Sequence, residues 1–237
     1  MLNRTVPRLV VGITLLGACG PALADWSGKG ELGASFASGN SENESANAAL
    51  VMKNKTDSWQ HELGFAGNYG NDGTATTAQR WEFRGQSQYE LTEKAYWFGA
   101  GRYEDDRFSS YDYQASLSTG LGYKLIDTER TKLWVQGGVG YRFSEVRLTG
   151  KSENGVIFRG DLGFEHQLTE TTKIVDRFLI EAGSDNTYYQ NDLGLEVTIT
   201  GALGLRLGYQ VRHNTDVQPG LEKTDTLMTV GLLYETK

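Results

Sequence analysis

Three histidines, His61, His166 and His213, are the side chains best suited to move protons near neutral pH, so a hydrolytic site would be built on one of them. A His two positions from a Ser on an extended strand would present base and nucleophile on one face. No such pair occurs: His61 is followed by Glu62-Leu63 and His166 by Gln167-Leu168. His213 stands near Asp216 and could join Asp105 and Asp106 as a carboxylate-oriented base, but so few common residues meet by chance in many chains. Transition-metal centres need clustered His or Cys, and neither clusters here. Asp72, Asp105, Asp106 and Asp112 could offer oxygens to a hard cation, although a solvated acidic rim accounts for them as well. Gly120-Leu121-Gly122 and Gly137-Gly138-Val139-Gly140 precede no helical segment, so they are not phosphate loops and are expected to ease strand curvature. These residues imply no catalytic set, metal or cofactor.

The chain does carry charges spaced two apart: Glu82, Arg84, Arg142, Arg159, Asp161, Glu165, Arg177, Glu181, Glu196, Arg206 and Arg212. Each lies on the polar side of a segment whose other side is apolar. Their mixed signs imply ladders of ion pairs that fill and brace an enclosed interior. A selective pore lining is the alternative.

The segments that position these charges alternate with a period of two, the mark of a strand with unlike faces. Trp81, Phe83, Gly85, Ser87, Tyr89 and Leu91 alternate with Arg80, Glu82, Arg84, Gln86, Gln88 and Glu90, and no stretch is clearer. Similar runs cover 59–69, 113–125, 133–143, 158–164, 178–182, 193–199, 203–211 and 228–234, with weaker ones at 28–38, 44–53 and 95–104. That makes twelve, an even number, as a bacterial single-chain barrel requires. Every second connection (54–58, 92–94, 127–130, 169–172, 200–202) is short. Several of the others (70–77, 105–110, 147–155, 214–223) are longer, the asymmetry expected between inner turns and outer loops.

Composition agrees. Thirty glycines against three prolines suit a sheet with no edge strands, and 38% hydrophobic content is too lean for a helical membrane protein. Residues 1–24 read as a signal peptide, with Arg4 and Arg8, an apolar stretch from Leu9 to Ala18, and Ala22-Leu23-Ala24 before the cut. Leu16-Gly17-Ala18-Cys19 resembles a lipobox, which leaves lipidation of Cys19 as the other processing route. Cleavage after Ala24 removes the one Cys along with Arg4 and Arg8, leaving 21 basic against 30 acidic residues. Nucleic acid is therefore not an expected partner.

A soluble periplasmic β-sandwich binding protein would also alternate. Two features favour a membrane barrel: strands of 10–13 residues, and aromatics near strand ends. These are Trp26, Trp59, Tyr69, Tyr89, Trp97, Tyr103, Tyr111, Tyr123, Tyr141, Tyr209 and Tyr234. On that frame the chain is expected to be an all-β, transmembrane, antiparallel up-and-down barrel over residues 25–237. Its expected partners are outer-membrane lipid, lipopolysaccharide and the barrel assembly machinery. The runner-up reading is an outer-rim hydrolase of omptin or phospholipase type.

Trp26-Ser27-Gly28, Leu32-Gly33-Ala34-Ser35, Ser38-Gly39-Asn40-Ser41, Tyr103-Glu104-Asp105-Asp106-Arg107-Phe108 and Gly120-Leu121-Gly122-Tyr123 resemble the family catalogued as domain of unknown function 481. These YdiY-like proteins are labelled putative salt-induced outer membrane proteins. The resemblance covers essentially all of the mature chain and implies an outer-membrane location, no established activity and no known site residues. The expected function is a structural barrel or small-solute pore of the cell envelope. One departure is the ending: Glu235-Thr236-Lys237 follow Tyr234, where much of the family ends on an aromatic residue.

Overall fold

The computed structural model describes residues 26–39 and 43–236. Residues 1–24, expected to be a signal peptide, lie outside them, as does Cys19. Thirteen strands form: β1 Trp26–Ser38, β2 Asn43–Lys55, β3 Trp59–Asn71, β4 Thr76–Glu90, β5 Ala95–Asp106, β6 Tyr111–Asp127, β7 Thr131–Val146, β8 Lys151–Ser152, β9 Gly155–Gln167, β10 Thr172–Gly183, β11 Thr187–Thr200, β12 Leu203–Asn214 and β13 Thr224–Glu235. The two-residue β8 pairs with the end of β7 inside a loop. The other twelve pair antiparallel with their neighbours, β7 runs beside β9, and β13 returns to β1 to close the ring. The seam continues past Tyr234: Thr236 N–H donates to Gly28 O at 2.7 Å, and Gly28 N–H donates to Thr236 Oγ1 at 2.8 Å.

Strand ends depart from the sequence reading in instructive ways. β10 starts at Thr172, not near Phe178, because Asp176 on the outward face and Val175 on the inward one interrupt the apolar alternation without interrupting the ladder. The connection expected over 70–77 shrinks to 72–75, since β3 and β4 both run on. Tyr111, expected among the outward aromatics, is 5% exposed and faces inward. A register shift between Tyr111 and Tyr113 inserts one residue and flips the face.

The strands are steeply tilted. A row of register partners leaving Trp26 at one end of β1 reaches Thr187 at the opposite end of β11. Closure with this stagger puts alternate side chains inside and outside. Outside are Leu32, Leu117 and Phe158, each more than 60% exposed. Inside, Glu181 and Ser35 are completely covered. This is the inverse of a soluble core, and it fits a wall with hydrocarbon outside and polar groups within.

Two seams on opposite sides of the ring are bent sharply. At β6–β7 Gly120 sits opposite Gly138, and at β13–β1 Gly33 sits opposite Gly231, all facing inward. A Cβ on Gly120, Gly138 or Gly33 would lie 2.1–2.2 Å from a carbonyl oxygen of the adjoining strand. On the concave side of a tight bend there is no room for one. Of the two glycine runs expected to ease curvature, Gly120, Gly138 and Gly140 stand at this close approach, while Gly122 lies under the Tyr96 ring and Gly137 meets open space. With its corners there, the ring has two flatter walls, β2–β5 and β9–β12, that face each other.

Candidate functional site

The lumen between the two flat walls is the candidate site. Eight strands enclose a bore that side chains just fill, and width grows with strand number, so a round twelve-stranded ring would keep opposite walls out of reach. Here they touch. Arg177 on β10 donates to Glu62 on β3 at 2.8 Å. Arg84 on β4 lies 3.7 Å from Asp192 on β11. Arg212 on β12 donates to Glu104 and Asp106 on β5, at 3.1 and 2.9 Å. Each of these strand pairs is six places apart around the ring.

These bridges anchor a larger network. Toward the loop end, Arg102 pairs with Glu104 and, at 3.5 Å, with Glu181, and its guanidinium lies 4.1 Å over the Tyr188 ring. Glu181 also accepts from Ser116 at 2.7 Å and Arg159 at 3.4 Å. Arg159 grips Asp161 with two bonds, at 2.7 and 3.0 Å, and Arg80 joins Glu82 to Glu104. At mid-height Arg84 pairs with Glu82, and Arg177 stacks 5.4 Å over Trp134. Toward the turn end, Lys29 and Lys173 pair with Glu196 at 2.5 and 3.4 Å, and Arg206 donates to Glu31 at 2.9 Å. Tyr96, Phe98 and Ala100 of β5 form a small apolar cluster inside the wall. The Tyr96 ring lies on Gly122 and the Trp134 ring on Gly163, where a side chain would collide.

The loop end is covered as well. Loop 215–223 reaches across the mouth, where Gln218 N–H donates to Ser110 Oγ at 3.0 Å and its amide donates to Ser110 O at 3.1 Å. Arg147 ties down the β5–β6 connection through the carbonyls of Asp106, Ser109 and Tyr111 and an ion pair to Asp112 at 2.8 Å. Asp72 organises its own turn: hydrogen bonds from the Thr74 hydroxyl and then the Ala75 and Thr74 amides hold its carboxyl down at about 2. A depressed folded value means the turn's support is complete above the ordinary value of 3.8 and fades as pH falls through about 2. The Thr74 and Ala75 amide resonances should titrate together in that range in a detergent-solubilised sample, and should stop doing so in Asp72→Asn.

All eleven charges selected from sequence face the interior. Nine join the ion pairs, Arg142 donates instead to the backbone carbonyls of Glu181 and Asn186, and Glu165 faces inward in register with Lys132, apart from those bonds. Missed were Lys29, Glu31, Glu62, Arg80, Arg102, Glu104, Asp106, Lys173 and Asp192. Arg80 and Glu62 stood in the alternating runs already and parity alone would have found them. Asp106 reads as a loop acid from sequence, yet β5 extends to it, and it takes Arg212 together with Glu104. The rim arrangement around His213 is not assembled. His213 faces outward, bonded to Thr224 at 2.8 Å, while Asp106 points into the lumen. Nor do the loop acids gather for a cation: Asp106 and Asp112 are each paired with arginine, and Asp72 with its own turn.

The family model described as "Protein of unknown function, DUF481" matches residues 30–235. Over 219 residues the chain is 25% identical to "Uncharacterized protein YdiY" of Escherichia coli (strain K12), an alignment covering 90% of this chain and 85% of that protein. The NanC porin shares the fold with a TM-score of 0.59 at 11% identity, over 87% of this chain and 100% of that one. The translocator domain of autotransporter NalP from Neisseria meningitidis follows with 0.53 at 10% identity, over 89% and 88%. The fold is thus that of transmembrane outer-membrane barrels.

Proposed function

The chain belongs to the family described as protein of unknown function, DUF481, and from that premise we propose that it is a non-catalytic barrel of the bacterial outer membrane whose lumen is held shut by ion pairs. The observation that carries this is the set of bridges between opposite walls, Arg177–Glu62, Arg84–Asp192 and Arg212–Glu104. Side chains that meet across the bore leave no continuous aqueous path between them. Most inward charges of both signs are paired with one another, so the lumen has no single-sign field to select an ion. In its membrane the apolar belt meets lipid, the acidic loops meet lipopolysaccharide, and the barrel assembly machinery closes the β13–β1 seam.

A second reading, a small-solute pore, is favoured by one observation. Gln114 Nε2, Ser118 Oγ and Gln210 Oε1 are buried inside without a hydrogen-bond partner, which is where water would enter a loosened lumen. Conductance across planar bilayers separates the two. The wild-type chain should be silent, and Arg84→Ala with Arg177→Ala, which cuts two bridges, should conduct. Steady wild-type current overturns the closed lumen. Silence in a folded double variant removes the pore.

A further inference from the structure

The outward face of β3–β6 holds a hollow that neither the lumen nor the loops explain. Two rows of rings cross this wall. At the turn end Trp59, Tyr89 and Trp97 are in register, and the Trp59 ring lies 5.1 Å from Tyr89 and 6.4 Å from Trp97. Toward the loops Phe65, Phe83 and Tyr103 form the other row, with Phe65 and Phe83 in contact at 4.9 Å. Between the two run the rows His61–Ser87–Gly99 and Leu63–Gly85–Gly101, the second ending on Leu117. The result is a depression of about 620 Å³, lined in part by His61, Leu63, Gly85, Ser87, Gly99 and Leu117. The fold does not demand glycine here. A Cβ on Gly85 or Gly99 would meet its nearest neighbour at 3.5 Å, ordinary contact, against 2.1–2.2 Å at the corners. Bare backbone at these positions simply keeps the floor low.

What fills the hollow follows from its position and its one polar edge. It opens on the bilayer, so acyl chains reach it. It lies toward the short turns, which face the periplasmic leaflet, whereas lipopolysaccharide meets the loop end. A second barrel's wall would bridge the raised rims and leave the floor without contacts, while a flexible chain can follow it. His61 Nδ1 shares a hydrogen bond with Ser87 Oγ at 2.9 Å, and its ring stacks on Trp59 at 5.7 Å. With Nδ1 engaged, Nε2 is the ring atom a ligand would meet. Aromatic belts sit at headgroup level, and His61 stands one row inside the belt, at the depth of glycerol ester linkages. An ester carbonyl only accepts, which selects the tautomer with Ser87 Oγ–H donating to Nδ1 and Nε2–H donating to the ester.

We infer that the β3–β6 hollow is a binding site for one glycerophospholipid of the periplasmic leaflet, its acyl chain lying over Gly85 and Gly99 and an ester carbonyl accepting from His61. The site rests on the outer-membrane reading above and is independent of whether the lumen is closed.

Native mass spectrometry tests this on the full chain, folded into vesicles of phosphatidylethanolamine, phosphatidylglycerol and lipopolysaccharide and then extracted in mild detergent. The wild-type barrel should retain one phospholipid. Gly99→Leu, which fills the floor, should cut that occupancy at least tenfold, whereas Gly137→Leu, outward and in open space on β7, should leave it unchanged. His61→Phe should lower occupancy severalfold, and His61→Gln, which keeps a donor, should restore most of it. His166→Phe is the control: that ring also bonds a hydroxyl, Thr131 Oγ1 at 2.8 Å, but lies away from the hollow. The unboiled gel band reports folding of each variant, and Ser87→Leu replaces Gly99→Leu should the latter not fold. An inserted barrel that retains no phospholipid overturns the site alone. Equal retention by Gly99→Leu and wild type, or retention of lipopolysaccharide in place of phospholipid, also overturns it. A dimer dispersed by Gly99→Leu would put a second copy in the hollow and overturn it too. A chain that never inserts overturns the membrane reading and this site with it.

Discussion

Gly138→Val will stop the barrel from closing, whereas the same change one residue earlier, Gly137→Val, will leave it folded. The two glycines are chemically identical and adjacent, so composition and propensity cannot separate them. Their faces do. A Cβ at Gly138 would sit 2.2 Å from Thr119 O, on the inner side of the β6–β7 bend, whereas one at Gly137 meets nothing within 4 Å. Overpacking a tight site costs about 1–3 kcal/mol when neighbouring side chains can yield. At Gly138 the obstacle is ladder backbone, which cannot move without breaking hydrogen bonds, so the loss should reach or exceed that upper figure. Valine at Gly137 adds apolar surface toward lipid. Urea titration of protein folded into vesicles, with the unboiled gel band as the readout, should show Gly138→Val largely unfolded and Gly137→Val near wild type. Equal behaviour would mean that the seam is not a corner and that the flattened section is wrong.

Arg102→Met carries the second large effect. Arg102 is 4% exposed, with Glu104 and the fully buried Glu181 as ion-pair partners and the Tyr188 ring beneath it. Deleting one member of a buried pair leaves the other desolvated and uncompensated, at a cost of about 3–5 kcal/mol. Glu181 would keep only Arg159 at 3.4 Å, itself shared with Asp161, so the effect should shrink in Arg102→Met with Glu181→Gln, where the under-compensated charge is gone. A double-mutant cycle in urea isolates the coupling. If Arg102→Met is neutral, water screens the pair and the lumen is open at this level, against the closed reading above.

How far such features can be read from the chain depends on which residues must be compared. Alternation belongs to one segment, so the Trp81–Leu91 run and the inward face of Arg84 were legible from spacing. The Asp176 interruption hid the first half of β10, because a polar residue on the apolar face looks like the end of a strand. Tyr111 was misassigned by a single bulge, which inverts every parity argument beyond it. Partners are harder still. Arg177 and Glu62 are 115 residues apart, and nothing local announces their meeting. Whether a glycine marks a bend depends on its opposite number, and the Gly33–Gly231 pairing joins the first and last strands. Residue types therefore displayed the charges and the glycines, while register decided which of them act together.

The clip between Gly28 and Thr236 has a topological consequence. It sets the two extremities of the wall side by side at one rim, so the ring has no intrinsic starting strand. A chain re-ordered by linking Thr236 to Trp26 through a few flexible residues, and opened between Thr149 and Gly150 in an exposed loop, would keep every ladder of the wall. In such a circular permutant the biosynthetic order of the hairpins changes while their neighbours do not.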